Sequence, residues 1–246
     1  MADPDPELTE TVQELAEEDV QPARRRKLLG RLVRDQTAKR GVRGLFKPKQ
    51  AATWMTEAIA EVAPHLPIRD LETLRAHYDG LDGEQLAERL VRNASRVTAA
   101  IGAAGGGVAA VEWVATPTLL SAPVLLAAET VAVVAVEIKL IGELHEVYRR
   151  PVPGTGAQRA VELAQAWAHQ RGVNPLAPGR GIAAALGVAA RKDLRDQLLK
   201  RLGRNLTTLG PLLTGAAVAG FLNRRATQSL GDKIRKDLGK QKELAG

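Results

Sequence analysis

Few residues in this chain could do chemistry by type, and their spacing is unhelpful. The histidines are His65, His77, His145 and His169. No two are spaced as a helical zinc pair, and the HExxH pattern is absent. "LHEVY" at 144–148 sets Glu146 beside His145, but adjacent helical residues do not face one ligand, so a solvent-exposed histidine is expected there. Glu129 and Glu137 lie inside the most apolar stretch. On a helix they would be about 80° apart and about two turns apart, too separated to act alone as an acid–base pair. There is no cysteine, which excludes thiolate catalysis, disulfides and thiolate-bound zinc. No GxSxG elbow occurs. "GAAGGG" at 102–107 lacks both the Lys-Ser/Thr of a phosphate loop and a preceding strand. "GRG" at 179–181 lacks the strand and spacing of a dinucleotide fingerprint. The expectation is a non-enzymatic protein with no cofactor and no metal.

The elements that carry these residues read as helices throughout. An acidic helix is predicted over 5–18, and a second over 23–39 behind Pro22. A third spans 50–63 and is stopped by Pro64 and Pro67; a short one, capped by Asp70, covers 68–79. Asp82 caps a long helix to about Val111. A long apolar helix restarts at Thr116 or Pro117 and ends at "YRRPVPGTG". Helices follow over 157–171, 181–202 and 205–238, the last with a break at Gly210-Pro211. This is an all-α, multi-helix bundle with a Gly/Ala-rich apolar hairpin and a charged N-terminal extension. Aromatics are only 3% of the chain, so Leu, Val and Ala must fill the core, and Ala-rich cores need closely approaching helices. Gly102 and Gly106 form a GxxxG, and Ala183/Gly187 and Ala216/Gly220 share its spacing, so close helix crossings are expected at Gly102, Gly106, Gly187 and Gly220.

"VLLAAETVAVVAVEIKLI", Val124 to Ile141, raises the membrane question. Its ten Leu, Ile or Val residues favour insertion by about 3–6 kcal/mol, while each charge at mid-bilayer opposes it by about 2.5–3.5. Glu129, Thr130, Glu137, Lys139 and Glu143 share about half the circumference, and the opposite half is wholly apolar. One face is expected to be buried and the other to meet water or polar partners. Three placements follow: a core helix of a soluble bundle, a hairpin inserted with 97–113, or shallow embedding in a leaflet. Asn205 to Asn223 has nineteen uncharged residues flanked by arginines, which suits shallow embedding as well as spanning.

Charge is blocked. Residues 1–20 hold eight acids, and residues 21–49 hold eleven Lys/Arg against one Asp. The acidic start is not a secretory signal, so a cytoplasmic location is expected, with association at the inner face of the cell membrane. Arg24, Arg25, Arg26, Lys27, Arg31 and Arg34 surround a stripe of Leu28, Leu29, Leu32 and Val33. This fits an interfacial helix on an anionic membrane surface. The acidic segment could fold back and mask it. Nucleic acid is disfavoured: Phe46 is the lone nearby aromatic and no base-reading fold is present.

Residues from about 88 to 238 resemble the EcsC family of bacterial proteins. The resemblance rests on "RNASRVTAAIGAAGGGVAAVEW", on "LLAAETVAVVAVEIKLIGELHEVYRR" with its following Pro/Gly turn, and on the Ala-rich helix after that turn. Its most specific part is "LGPLLTGAAVAGFLNRRATQSLGDKIRKDL". It implies a bacterial helical protein tied to a transporter or other membrane process, without established catalytic residues. The family has an acid near the centre of the apolar helix, which Glu129 matches. The segments are therefore an acidic 1–20, a basic amphipathic 21–49, short helices over 50–81 and an EcsC-like domain over 82–246. Two functions remain open: a membrane-associated accessory protein, or a soluble adaptor gripping a protein partner in an Ala/Gly-rich groove.

Overall fold

A computed structural model describes residues 5–40, 48–115, 122–154, 156–170 and 215–243. They form α1 (Pro6–Leu15), α2 (Pro22–Arg40), α3 (Pro48–Val62) with a 3-10 turn (Ala63–His65), and α4 (Leu71–His77). Then come α5 (Gly83–Ala115), α6 (Ala122–Val147), α7 (Ala157–Gln170) and α8 (Gly215–Glu243). Among the described residues there is no strand. The helix expected over 181–202, the break at Gly210-Pro211 and Gly187 lie outside them.

Local chemistry sets the ends. Asp5 and Asp70 cap α1 and α4 by accepting the backbone N–H of Leu8 and Thr73. Prolines open α1, α2 and α3, where a missing N–H costs nothing. α4 ends on Asp79 and Gly80, both left-handed with φ of 55° and 79°, and the Gly80 N–H returns to the Arg75 carbonyl. That reversal sends the chain into α5.

α6 is the axis of the molecule. Every side chain position from Val124 to Leu144 is buried, on all sides of the helix. α5 runs antiparallel to it, with Gly105 against Glu129 and Glu84 bonded to Tyr148. α8 runs antiparallel to α5, since Gly220 meets Ala99, Gly231 meets Val91 and Arg235 meets Glu84. Gly142 of α6 admits Ile68, whose Cδ1 would lie 2.8 Å from a Cβ there. The charged N-terminal helices join the same core: Leu8, Val12 and Leu15 from α1, and Leu28, Leu29, Leu32 and Val33 from α2, cluster with residues as distant as Leu238.

Of the two expectations for the polar side of the apolar helix, water or polar partners, the structure shows the second: α8, α7 and the loops that bear Glu17 and Arg69 cover it with polar side chains. Among the described residues no helix is long and apolar enough to cross a membrane.

Candidate functional site

Burying Glu129, Glu137 and Glu143 inside an apolar bundle is costly unless each carboxylate is fully engaged. The structure engages all three. Glu129 accepts a hydrogen bond from the Asn223 side-chain amide at 2.7 Å. Two glycines of α5 make the room. A Cβ on Gly105 would lie 2.7 Å from the Glu129 carboxylate, and one on Gly102 would lie 2.8 Å from Asn223 Nδ2. The same Gly102 position would meet the backbone of Ala219 and Gly220 at 2.9 Å. Helix approach and polar pairing thus share one socket.

Glu137, at 0% exposure, accepts from Trp167 Nε1 at 2.7 Å through one oxygen and from Thr227 Oγ1 at 2.8 Å through the other. It ties α7 and α8 to α6. Glu143 takes a two-pronged contact from Arg69, with Nε at 2.7 Å and Nη2 at 3.0 Å. Burial pushes the Glu143 carboxyl up, and Arg69 and Lys139 oppose that push. Burial pulls Arg69 down, but Glu143 and Tyr78 more than offset it and hold the guanidinium charged. Arg69 also meets Glu18 at 3.2 Å, and Glu18 accepts from Asn93 at 2.7 Å and from the Tyr78 hydroxyl. Burial, followed by the Glu18 contact, pushes the Tyr78 phenol up to about 12. Lys139 reaches Glu17 at 3.4 Å.

Glu129 and Glu137 are therefore held by different partners rather than brought together. The geometry of these carboxylates is that of register pins. Sequence reasoning missed Asn223, Trp167, Thr227 and Arg69 as their partners. A lone asparagine inside an Ala/Gly run was the available signal for the first. Of the glycines expected at crossings, Gly102 and Gly220 meet. Gly106 is half-buried, one turn further along α5.

The basic helix is rearranged from expectation. Arg25 is 1% exposed and donates to the carbonyls of Leu15 at 2.8 Å, Glu17 at 3.0 Å and Val20 at 3.4 Å. It caps the C-terminal end of α1 and cannot face lipid. The stripe of Leu28, Leu29, Leu32 and Val33 is core, so it is not an interfacial anchor either. Arg24 is paired with Glu14 of α1 at 2.6 Å, and Lys39 with Asp5. Arg26, Lys27, Arg31 and Arg34 stay exposed, and Lys27, Arg31 and Arg34 line one ridge of α2.

His145 is half-buried rather than exposed. Its Nδ1 lies 3.0 Å from the Arg150 carbonyl, and burial holds its pKa below the usual value. His65 and His77 are exposed. Among the described residues no group of three His, Cys, Asp or Glu could hold a metal ion.

One surface feature stands out by exposure. Phe221 and Leu222, 60% and 40% exposed, are the large apolar side chains left open among the described residues. They sit on α8 just before Arg224 and Arg225, both exposed. No family model, curated protein or solved structure matches the chain.

Proposed function

We propose that this chain is a non-enzymatic accessory protein that docks reversibly on an anionic leaflet at the cytoplasmic face of a cell membrane. The observation that carries the reading is the exposed pair Phe221 and Leu222 followed by the exposed pair Arg224 and Arg225. An apolar tip backed by guanidinium groups matches a leaflet whose headgroups are anionic and whose interior is apolar. The resemblance to EcsC proteins and the apolar run up to Asn223 support the same direction.

The magnitude favours a peripheral contact. The exposed parts of Phe221 and Leu222 would contribute about 2 kcal/mol on burial. Two basic residues near an anionic surface add about 1 kcal/mol each. About 4 kcal/mol corresponds to a millimolar dissociation constant, weak and reversible. The ridge of Lys27, Arg31 and Arg34 contributes steering by charge, not insertion.

Flotation with anionic and neutral vesicles at two salt concentrations tests this. Binding is expected to anionic vesicles only, to weaken with salt, and to be lost in Phe221→Ser/Leu222→Ser. A parent protein that ignores anionic vesicles, or a double variant that binds like the parent, would overturn the reading and leave the soluble adaptor.

A further inference from the structure

An open cleft of about 450 Å³ lies between the α1–α2 loop, the end of α4 and the outer face of α5. That volume falls in the range of small-molecule sites. Three guanidinium side chains line it: Arg25, Arg89 and Arg96. Arg89 and Arg96 are seven residues apart on α5 and so share a face, with Asn93 between them.

Two features distinguish this wall from an ordinary solvated one. Arg25 is buried yet has no carboxylate partner among the described residues; its hydrogen bonds go to neutral carbonyls, and its Nε is buried without a partner there. The carbonyls at the end of α1 supply only partial negative charge to this buried cation, and an anion in the adjoining cleft adds to it. Among the described residues Arg89 and Arg96 also form no ion pair, whereas Arg92, on the same helix, is paired with Glu88. The acids of the cleft do not supply the missing charge to that wall. Glu18 is committed to Arg69, Asn93 and Tyr78, while Asp19 and Asp79 are exposed at the rim.

We propose that this cleft binds a phosphate-bearing small polar molecule, with the phosphate held by the exposed guanidinium groups of Arg89 and Arg96, beside the buried charge of Arg25, and the polar remainder toward Asp19, Asp79 and His77. Guanidinium groups suit phosphate because several N–H donors meet several oxygens at once. The acidic rim disfavours a large polyanion and favours a ligand with donors of its own. The proposal is independent of membrane docking, since Phe221 and Leu222 do not line this cleft.

The test is titration calorimetry at low salt with inorganic phosphate, pyrophosphate and glycerol phosphate, beside flotation with phosphatidic acid vesicles. Arg89→Gln and Arg96→Gln are the variants, because both side chains are exposed and neither holds the fold. Saturable binding of a soluble phosphate, weakened about tenfold or more in the double variant, is expected. It should be unchanged in Phe221→Ser/Leu222→Ser. Vesicle binding that needs Arg89 and Arg96, without soluble binding, would assign the phosphate to a lipid headgroup in the same cleft. No saturable binding in either arm, or binding indifferent to both substitutions, overturns the proposal.

Discussion

Adding one methyl group to different helical glycines should change stability with opposite signs. At Gly102 a Cβ would sit 2.8 Å from the Asn223 amide nitrogen and 2.9 Å from backbone atoms of Ala219 and Gly220. Backbone cannot swing aside, so α5 and α8 must separate. Overpacking of this kind costs about 1–3 kcal/mol. Displacing Asn223 from Glu129 weakens a hydrogen bond to a buried acid, worth about 1.5–3 kcal/mol. Better helix propensity returns about 1 kcal/mol. Gly102→Ala should therefore destabilise by about 1.5–5 kcal/mol net, lowering Tm by about 3–20 °C for a chain of this size. Gly30 in α2 has nothing within 4 Å of its added Cβ. Gly30→Ala should gain up to about 1 kcal/mol and raise Tm by about 2–4 °C. Thermal melts by circular dichroism read both. Adding Asn223→Ala to Gly102→Ala should cost less than the sum of the two single changes, because one of the clashing groups is gone. A Gly102→Ala protein that melts at or above the parent would refute the socket, as would matched losses at both glycines.

Three further outcomes follow from the buried polar contacts. Arg69→Ala leaves Glu143 buried without its guanidinium and should cost about 3–5 kcal/mol, while Arg69→Met/Glu143→Leu should recover most of that loss in urea melts. Glu137→Met strands the Trp167 N–H and the Thr227 hydroxyl and should cost about 3 kcal/mol, whereas Glu137→Gln, still able to accept from Trp167, should cost less; tryptophan fluorescence during unfolding reports both. The chain has two tyrosines, and burial followed by contacts with Glu18 and Glu84 holds both phenols up to about 12. A raised folded value stabilises fully below the unfolded pKa of about 10, and that stability is lost as pH rises toward 12. Absorbance at the tyrosinate band should therefore stay flat through pH 10 while the fold persists, and a normal titration there would contradict the buried placement.

The all-helical class was legible from the sequence, because apolar periodicity, aspartate caps and proline starts are local signals that need no partner to be read. Asp70, Pro22 and the Pro64 stop behave as their chemistry dictates. The scarcity of aromatics and the recurrence of glycine and alanine likewise announced close helix crossings. What lay beyond local reading was which side of each helix had a neighbour. In the apolar helix, Glu129, Glu137 and Lys139 fell on one polar side that could meet water or polar partners, because a sequence shows the charge and not the Asn223, Thr227, Trp167 or Glu17 that meets it from 30 to more than 100 residues away. In the basic helix, the stripe from Leu28 to Val33 looked free to meet lipid, because amphipathicity is the same whether the apolar side packs on a core or on a membrane. Arg25 was counted with its exposed neighbours, since only the fold brings the end of α1 against it. Phe221 lay within the run from Asn205 to Asn223 already read as suited to shallow embedding, but only tertiary packing shows that it and Leu222 are left outside while Asn223 turns in. Composition and periodicity thus determined the helices, while the identity of each buried partner, and of the surface left over, depended on contacts that only the assembled bundle makes.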